Sequence, residues 1–519
     1  MAHSEFRSKW RQYIWPIHSF ELKKLLPMFL MFLLTTFNYN VLRNAKETLI
    51  MTAQHAGAEA IPFIKMWVVP CAILATMLYY RLSQRLSRQA VFNWIFGGFI
   101  AYIFLFAFIC YPNAESLHLH GLADWMQSWL PAGAKGFTAI IRYWSISTYY
   151  IAAELWSSLV FAVLLWGFVN EVTNVNEAKR FYGILGVGAH SSGILAGLLA
   201  VGLDKCRDFP ILPFLPSGWS GSFYMMNGAV VLSGMVVLGL FWWLHKSVLP
   251  PCHRLEERNA EPEKKPKMSI RAMLNYLTNS PYLLCIAGMV LCYNVSVNLI
   301  ENLWKGQMRL LFPDPSALSA FSGKVTIATD IVATITSLII CSNLIRRRGW
   351  LSAAITTPLV IAVTSVMFFG FMFMKHNSFG LFVGQSFGLS PLWLSVMSGA
   401  LCITLTRASK FAMFDTTKEM AFVPLSTESR LKGKAAIDGV GSRLGKSAGS
   451  ALQSILLLSC GTLEQSAPFV GIIIPAVLVC WFLAAKSLGQ RYNQLLETTA
   501  ADQPLPEPAA TTEPAGSLR

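Results

Sequence analysis

The residues able to do chemistry in this chain are charged side chains set inside apolar runs. Arg43 and Lys46 end the first such run, Glu154 lies in the fourth, Glu301 and Lys305 in the seventh, and Lys324 and Asp330 in the eighth. Arg407, Lys410 and Asp415 end the tenth, and Lys434, Asp438, Arg443 and Lys446 punctuate the eleventh. A charge at bilayer depth is costly, so it marks function by default. Cations dominate this set, and a cavity lined by them attracts a polyanion such as a phosphorylated metabolite. The interspersed carboxylates keep the empty site from being an uncompensated positive cavity. Arg43 with Glu47, Glu301 with Lys305 and Lys434 with Asp438 also stand four residues apart, so each is open to a local reading as an ion pair along one helix. Unpaired cations remain under that reading, and those near run ends are also open to snorkelling at the interface.

Other motifs carry less. Gly441-Ser442-Arg443-Leu444-Gly445-Lys446-Ser447 imitates a phosphate loop but is one residue short, and it lies in an apolar helix with no preceding strand. Gly441, Gly445 and Gly449, like Gly193 and Gly197, instead have the spacing that lets two helices approach closely. His190 sits in an apolar stretch, where a helix-contact role outweighs a proton site. The Trp and Phe residues belong mostly to the core and the interfacial belt. The ten Cys lack metal spacing and read as small buried hydrophobes. No metal or cofactor is expected.

These residues need long membrane helices to hold them. The 519-residue chain is 54% apolar and only 13% charged, against roughly 25% charged in soluble domains. Its net charge of +15 would suggest nucleic acid in a soluble protein; here many cations flank apolar runs, so no nucleic-acid partner is expected. Runs of about 20 apolar residues give about twelve spans, with 138–172 read as one span plus its extension. That count puts the loops carrying Arg81, Arg85 and Arg88, residues 246–271, and Arg346 to Arg348 on one side with the N-terminus. The positive-inside rule makes that side cytoplasmic, with both termini there. Asn40–Asn44 resembles Asn298–Asn302, and Gly186-Val187-Gly188 matches Gly439-Val440-Gly441, with Lys179 and Lys432 at the same offset before them. Such repeats favour two parallel six-helix halves of the major-facilitator type. The expected organisation is a cytoplasmic amphipathic segment at 1–23, a first half at 24–246, a cytoplasmic linker at 247–279, a second half at 280–490 and a disordered tail at 491–519.

Several motifs together resemble the non-mitochondrial ATP/ADP translocases, the nucleotide transporters of plastids and obligate intracellular bacteria. They are Trp15-Pro16-Ile17, Glu21-Leu22-Lys23-Lys24, Gly57 to Lys65, Ala153-Glu154-Leu155-Trp156, Glu177 to Tyr182, Phe414 to Ala421, and Lys432 to Asp438. The resemblance spans about residues 15–450 and implies a nucleotide carrier in a bacterial inner (cell) membrane. It implies functional roles for Lys46, Glu154, Glu301 and the Lys432/Lys434 pair. The family's exchangers typically read Arg-Asp-Thr-Lys-Asp after the first span, where this chain has Arg43-Asn44-Ala45-Lys46-Glu47. That departure is more similar to the family's broader importers of several ribonucleoside triphosphates, some of them proton-coupled.

The expectation is a monomeric alternating-access carrier that moves ATP, ADP and/or other ribonucleotides (GTP, UTP or CTP) by counter-exchange of the ATP/ADP antiport type, with proton-coupled net import of several nucleoside triphosphates as the alternative. Arg43, Lys46, Lys305, Lys434 and Lys446 would face the phosphates, with Lys432 joining them by the resemblance. Glu154, Glu301 and Asp438 would hold the cations when the site is empty, or bind a proton. A membrane enzyme acting on phosphorylated substrates would need a nucleophile with a base and an acid, and the sequence offers no such constellation. A channel would conduct without saturation, and paired halves argue against it.

Overall fold

The computed structural model describes Ile17 and residues 20–208, 216–248, 270–337, 342–374, 388–434, 436–437 and 441–501. These residues are helical almost throughout. Eleven helices are long and apolar enough to cross a bilayer. They are α1 (Leu22–Thr52), α2 (Ala60–Arg85), α3 (Arg88–Cys110), α4 (Trp144–Val172), α5 (Val175–Lys205), α6 (Gly218–Ser247), α7 (Pro281–Leu311), α8 (Pro315–Ile335), α9 (Leu344–Met374), α10 (Pro391–Ala421) and α12 (Leu463–Ala501).

Between the last two lies α11 (Ser442–Cys460), which is too polar to count with them. Its Arg443, Lys446, Ser and Gly residues lower its hydropathy, and it packs against α7 and α2 inside the bundle. The sequence reading of about twelve spans takes the eleventh apolar run as one of them, whereas α11 by its own composition falls short and eleven of the described helices qualify. In the 138–172 run the chain breaks at Tyr143, between a short helix (Lys135–Arg142) and the single span α4. A second short helix, Ile270–Asn279, occupies the end of the expected linker. The expected disordered tail begins in helix, since α12 continues through Ala501; residues 502–519 lie outside the described residues, as does 1–16 of the amphipathic segment.

Local chemistry starts the helices of the second half in a repeated way. The side chains of Ser280, Asp314 and Ser390 accept hydrogen bonds from the amides of Leu283, Ala317 and Trp393, and each is followed by proline. An N-cap oxygen satisfies an orphan amide, and proline at the first helical position lacks the amide that would go unpaired.

Within the first half α1 packs on α5 and α6; within the second α7 packs on α12 and α11. The Trp156 indole of α4 donates to the Thr35 carbonyl of α1 at 3.0 Å, and the Trp304 indole of α7 donates to the Val396 carbonyl of α10 at 3.0 Å. Corresponding helix pairs in the two halves are thus clamped by the same kind of bond.

The halves meet along α5 with α8 and along α2 with α11. The α5/α8 seam depends on glycine: a Cβ on Gly197 would lie 2.6 Å from the Gly323 carbonyl oxygen, and one on Gly193 would lie 1.7 Å from Asp330 Oδ2. Gly445 and Gly449 make their close approach to α7 of the same half, against Asn294 and Asn298, and Gly441 meets no other helix closely.

Candidate functional site

The apolar helices bring charges together where the halves face each other. Arg43 and, one turn on, the adjacent Lys46 and Glu47 lie near the Thr52 end of α1. Arg43 reaches Glu47 at 3.7 Å on its own helix and Glu301 of α7 at 3.4 Å. Lys305, one turn beyond Glu301, lies 2.7 Å from Glu301 and 2.8 Å from Glu47. Arg407 of α10 approaches the other oxygen of Glu301 at 2.9 Å. On the first-half side Lys46 is paired with Glu154 of α4, and its ammonium lies 4.3 Å from the centre of the Tyr150 ring. Lys46 and Lys305 are each only 1% exposed, so both depend on these partners for compensation. Lys65 of α2 completes the ring by donating to Asn298 Oδ1 of α7 at 2.8 Å.

Five cations thus surround three carboxylates, Glu47, Glu154 and Glu301. Lys446 adds a further positive charge acting on Glu154 and Tyr39, and its side chain is exposed. A buried carboxylate shared among several cations lowers the cost of burying them, but the set as a whole retains excess positive charge. A polyanion entering it would exchange these pairs for phosphate contacts.

The elements fix this geometry. Asn40 donates to Ser192 of α5 at 3.2 Å and Asn44 donates to the Ser319 carbonyl of α8 at 3.0 Å, which sets the rotation of α1. The helix carrying Glu154 widens to π-type turns over Trp156–Leu165, and the helix carrying Arg407 does so over Lys410–Phe414. Such turns shift the register of the residues beside them and recur at functional sites.

The structure therefore joins Arg43, Lys46, Glu154, Glu301 and Lys305, with Lys446 close by. It separates Lys434, which pairs with Glu419 of its own half beside an open cleft lined by Asp415, Phe422 and Arg430. Asp438, the local partner that spacing suggested for Lys434, lies outside the described residues. Lys432, half-buried two residues before Lys434, belongs to that same region. Lys410 pairs with Asp415 at 2.7 Å, Lys324 is exposed, and His190 packs its ring on Phe411 at 5.6 Å. The sequence reading left Lys65, Asn298, Tyr150, Glu47 and Arg407 out of the site. For Lys65 the available signal was its isolation: it is the single charge between Ala60 and Tyr80.

Among the described residues, the ion pairs and side-chain hydrogen bonds seen between the halves lie around this cluster and toward the Thr52 end, where Arg207 meets Asp314 at 2.9 Å. At the Leu22 end, Lys24–Glu177, Arg180–Glu21 and Arg88–Glu171 stay within the first half, and Lys434–Glu419 within the second.

Solved structures share this arrangement of helices. A bacterial homologue of the iron transporter ferroportin, in an inward-facing state, superposes with a TM-score of 0.56 at 15% identity, over 89% of this chain and 98% of that one. The D-xylose–proton symporter gives 0.55 at 12% identity, over 91% and 97%. At such identities the likeness concerns the fold alone. Sequence relatives are nearer. ADP,ATP carrier protein 1 of Chlamydia trachomatis is 40% identical over 515 residues, 98% of this chain and 96% of its own length. The chloroplastic ADP,ATP carrier protein 1 of Arabidopsis thaliana is 38% identical over 475 residues, 91% of this chain and 74% of its own. The profile of the TLC ATP/ADP transporter family matches residues 1–492. This multi-pass membrane protein, a transporter rather than an enzyme, belongs to the TLC ATP/ADP transporter family.

Proposed function

We propose that the chain exchanges ATP and ADP through the Arg43–Lys46–Lys65–Lys305–Arg407 cluster by alternating access. The observation that carries this reading is the surplus of cations at the junction of the halves, Lys46 and Lys305 buried and Arg43, Lys65 and Arg407 half-buried. Phosphate oxygens match that surplus, and the printed names of the relatives point to the same ligands. Lys446 extends the phosphate-facing set. Lys432 and Lys434 stand at the Leu22 end, where they would meet the nucleotide on entry or exit.

The Lys- and Arg-rich loops make the Leu22 end cytoplasmic, with both termini on that side of a bacterial inner membrane. The contacts at the Thr52 end then describe a carrier closed to the outside. Substrate drives the switch by binding the two states with different affinity. The test is saturable uptake of labelled ATP into proteoliposomes holding the purified protein. ADP is expected to compete and adenosine, lacking phosphate, is not; competition by GTP, UTP and CTP measures base preference. Equal competition by adenosine would refute a site built for phosphate.

The glycine seam gives a second expected result. Gly197→Leu places a side chain against the Gly323 carbonyl and Ile327, a strain of about 1–3 kcal/mol. Uptake is expected to fall severalfold, with greater labelling from outside of a cysteine placed in the seam. Unchanged labelling and unchanged uptake would show that the seam tolerates separation.

A further inference from the structure

Lys65 differs from the other cations of the cluster in what holds it. Arg43, Lys46, Lys305 and Arg407 each lie against at least one carboxylate. Among the described residues Lys65 has only the neutral Asn298 amide oxygen, at 2.8 Å. Asn298 is buried, and its amide nitrogen donates to the Lys446 carbonyl at 2.9 Å, which points its oxygen at Lys65. Lys65 is also central, since its charge interacts with Lys305, Glu301, Glu154 and Glu47 together.

Hydrogen bonds between two charged groups are roughly twice as strong as neutral ones. Leaving Asn298 therefore costs Lys65 less than leaving a carboxylate would cost its neighbours, and a phosphate oxygen offers it a stronger partner. The same bond ties α2 of the first half to α7 of the second. A lysine that moves to substrate removes a strut between the halves as it does so. On the reading that a nucleotide occupies the cluster, we propose that Lys65 leaves Asn298 to hold the phosphate chain, so that phosphate binding itself releases this link.

The experiment compares Lys65→Gln, Lys65→Arg and Asn298→Asp with the parent protein in proteoliposomes, reading KM and maximal rate for labelled ATP. Lys65→Gln is expected to raise KM about tenfold or more, the scale of one lost hydrogen bond to a charged group. Asn298→Asp gives Lys65 a carboxylate and is expected to raise KM in the same direction, while Lys65→Arg recovers most of the affinity. A purely structural strut makes the opposite forecast, because glutamine loosens it and aspartate tightens it. Opposite shifts in KM, or an unchanged KM in Lys65→Gln, would overturn the proposal while leaving the nucleotide reading intact. Absence of saturable nucleotide uptake by the parent protein would overturn both. Should Lys65→Gln fail to fold, Asn298→Asp still tests the proposal, since an unchanged or lowered KM in that variant would overturn it.

Discussion

Lys46→Ala is expected to lower nucleotide uptake by about a hundredfold or more, because on the proposed reading it removes a buried contact to phosphate. It also strands Glu154, which the wild-type lysine faces directly. Breaking a buried ion pair from one side costs about 3–5 kcal/mol, so some of the loss would appear as reduced protein in the membrane. The double variant Lys46→Ala with Glu154→Gln separates the two effects. It is expected to restore membrane abundance, since no unpaired charge remains, without restoring uptake. Full uptake by Lys46→Ala, or recovery of uptake in the double variant, would remove Lys46 from the substrate site.

Glu301→Gln is the second large effect. Glu301 holds Arg43, Lys305 and Arg407 at 3.4, 2.7 and 2.9 Å, so its neutralisation leaves Arg43 and Lys305 with Glu47 alone and takes from Arg407 its carboxylate partner among the described residues. Like charges at these separations repel, and Arg43 of the first half, facing Lys305 and Arg407 of the second, pushes the halves apart. Uptake is expected to fall about a hundredfold, on the scale of a disrupted buried network. A cysteine replacing the buried Ser319, introduced after the native cysteines are removed, is expected to react faster with an impermeant thiol reagent from outside. Wild-type uptake together with wild-type labelling would mean that Glu301 neither closes the carrier nor sustains transport.

Much of this cluster was legible in the sequence because charge in an apolar run stands out. Arg43, Lys46, Glu154, Glu301 and Lys305 were found that way, and the structure brings all five together. The choice between local pairing and a functional site was not a real alternative at Arg43 and Glu301. Each keeps its partner one turn away and also reaches across to the other half. Sequence spacing reveals the first contact and hides the second, which depends on how the two halves dock. Lys65 escaped notice because a single lysine near the start of a span looks like an interfacial anchor. Lys434 stands out in the sequence as a charge in an apolar run, and the fold places it beside Glu419, apart from the shared cluster.

The helices show the same division. Apolar length identified α1 to α10 and α12, whose outer faces need lipid. It does not identify α11 by the same criterion, since that helix packs against α7 and α2 and tolerates Arg443 and Lys446. The π-type turns beside Glu154 and Arg407 leave no mark in composition, because a register shift of one residue changes geometry and not residue type.

The most direct test of the central claim is counterflow. Proteoliposomes with the protein are loaded with ADP or left empty, and labelled ATP is supplied outside with and without a protonophore. The account expects saturable ATP entry that internal ADP accelerates severalfold and the protonophore leaves unchanged. Entry that ignores internal ADP and stops with the protonophore would contradict exchange and identify a proton-coupled importer instead; absence of saturable entry under every condition would contradict nucleotide carriage altogether.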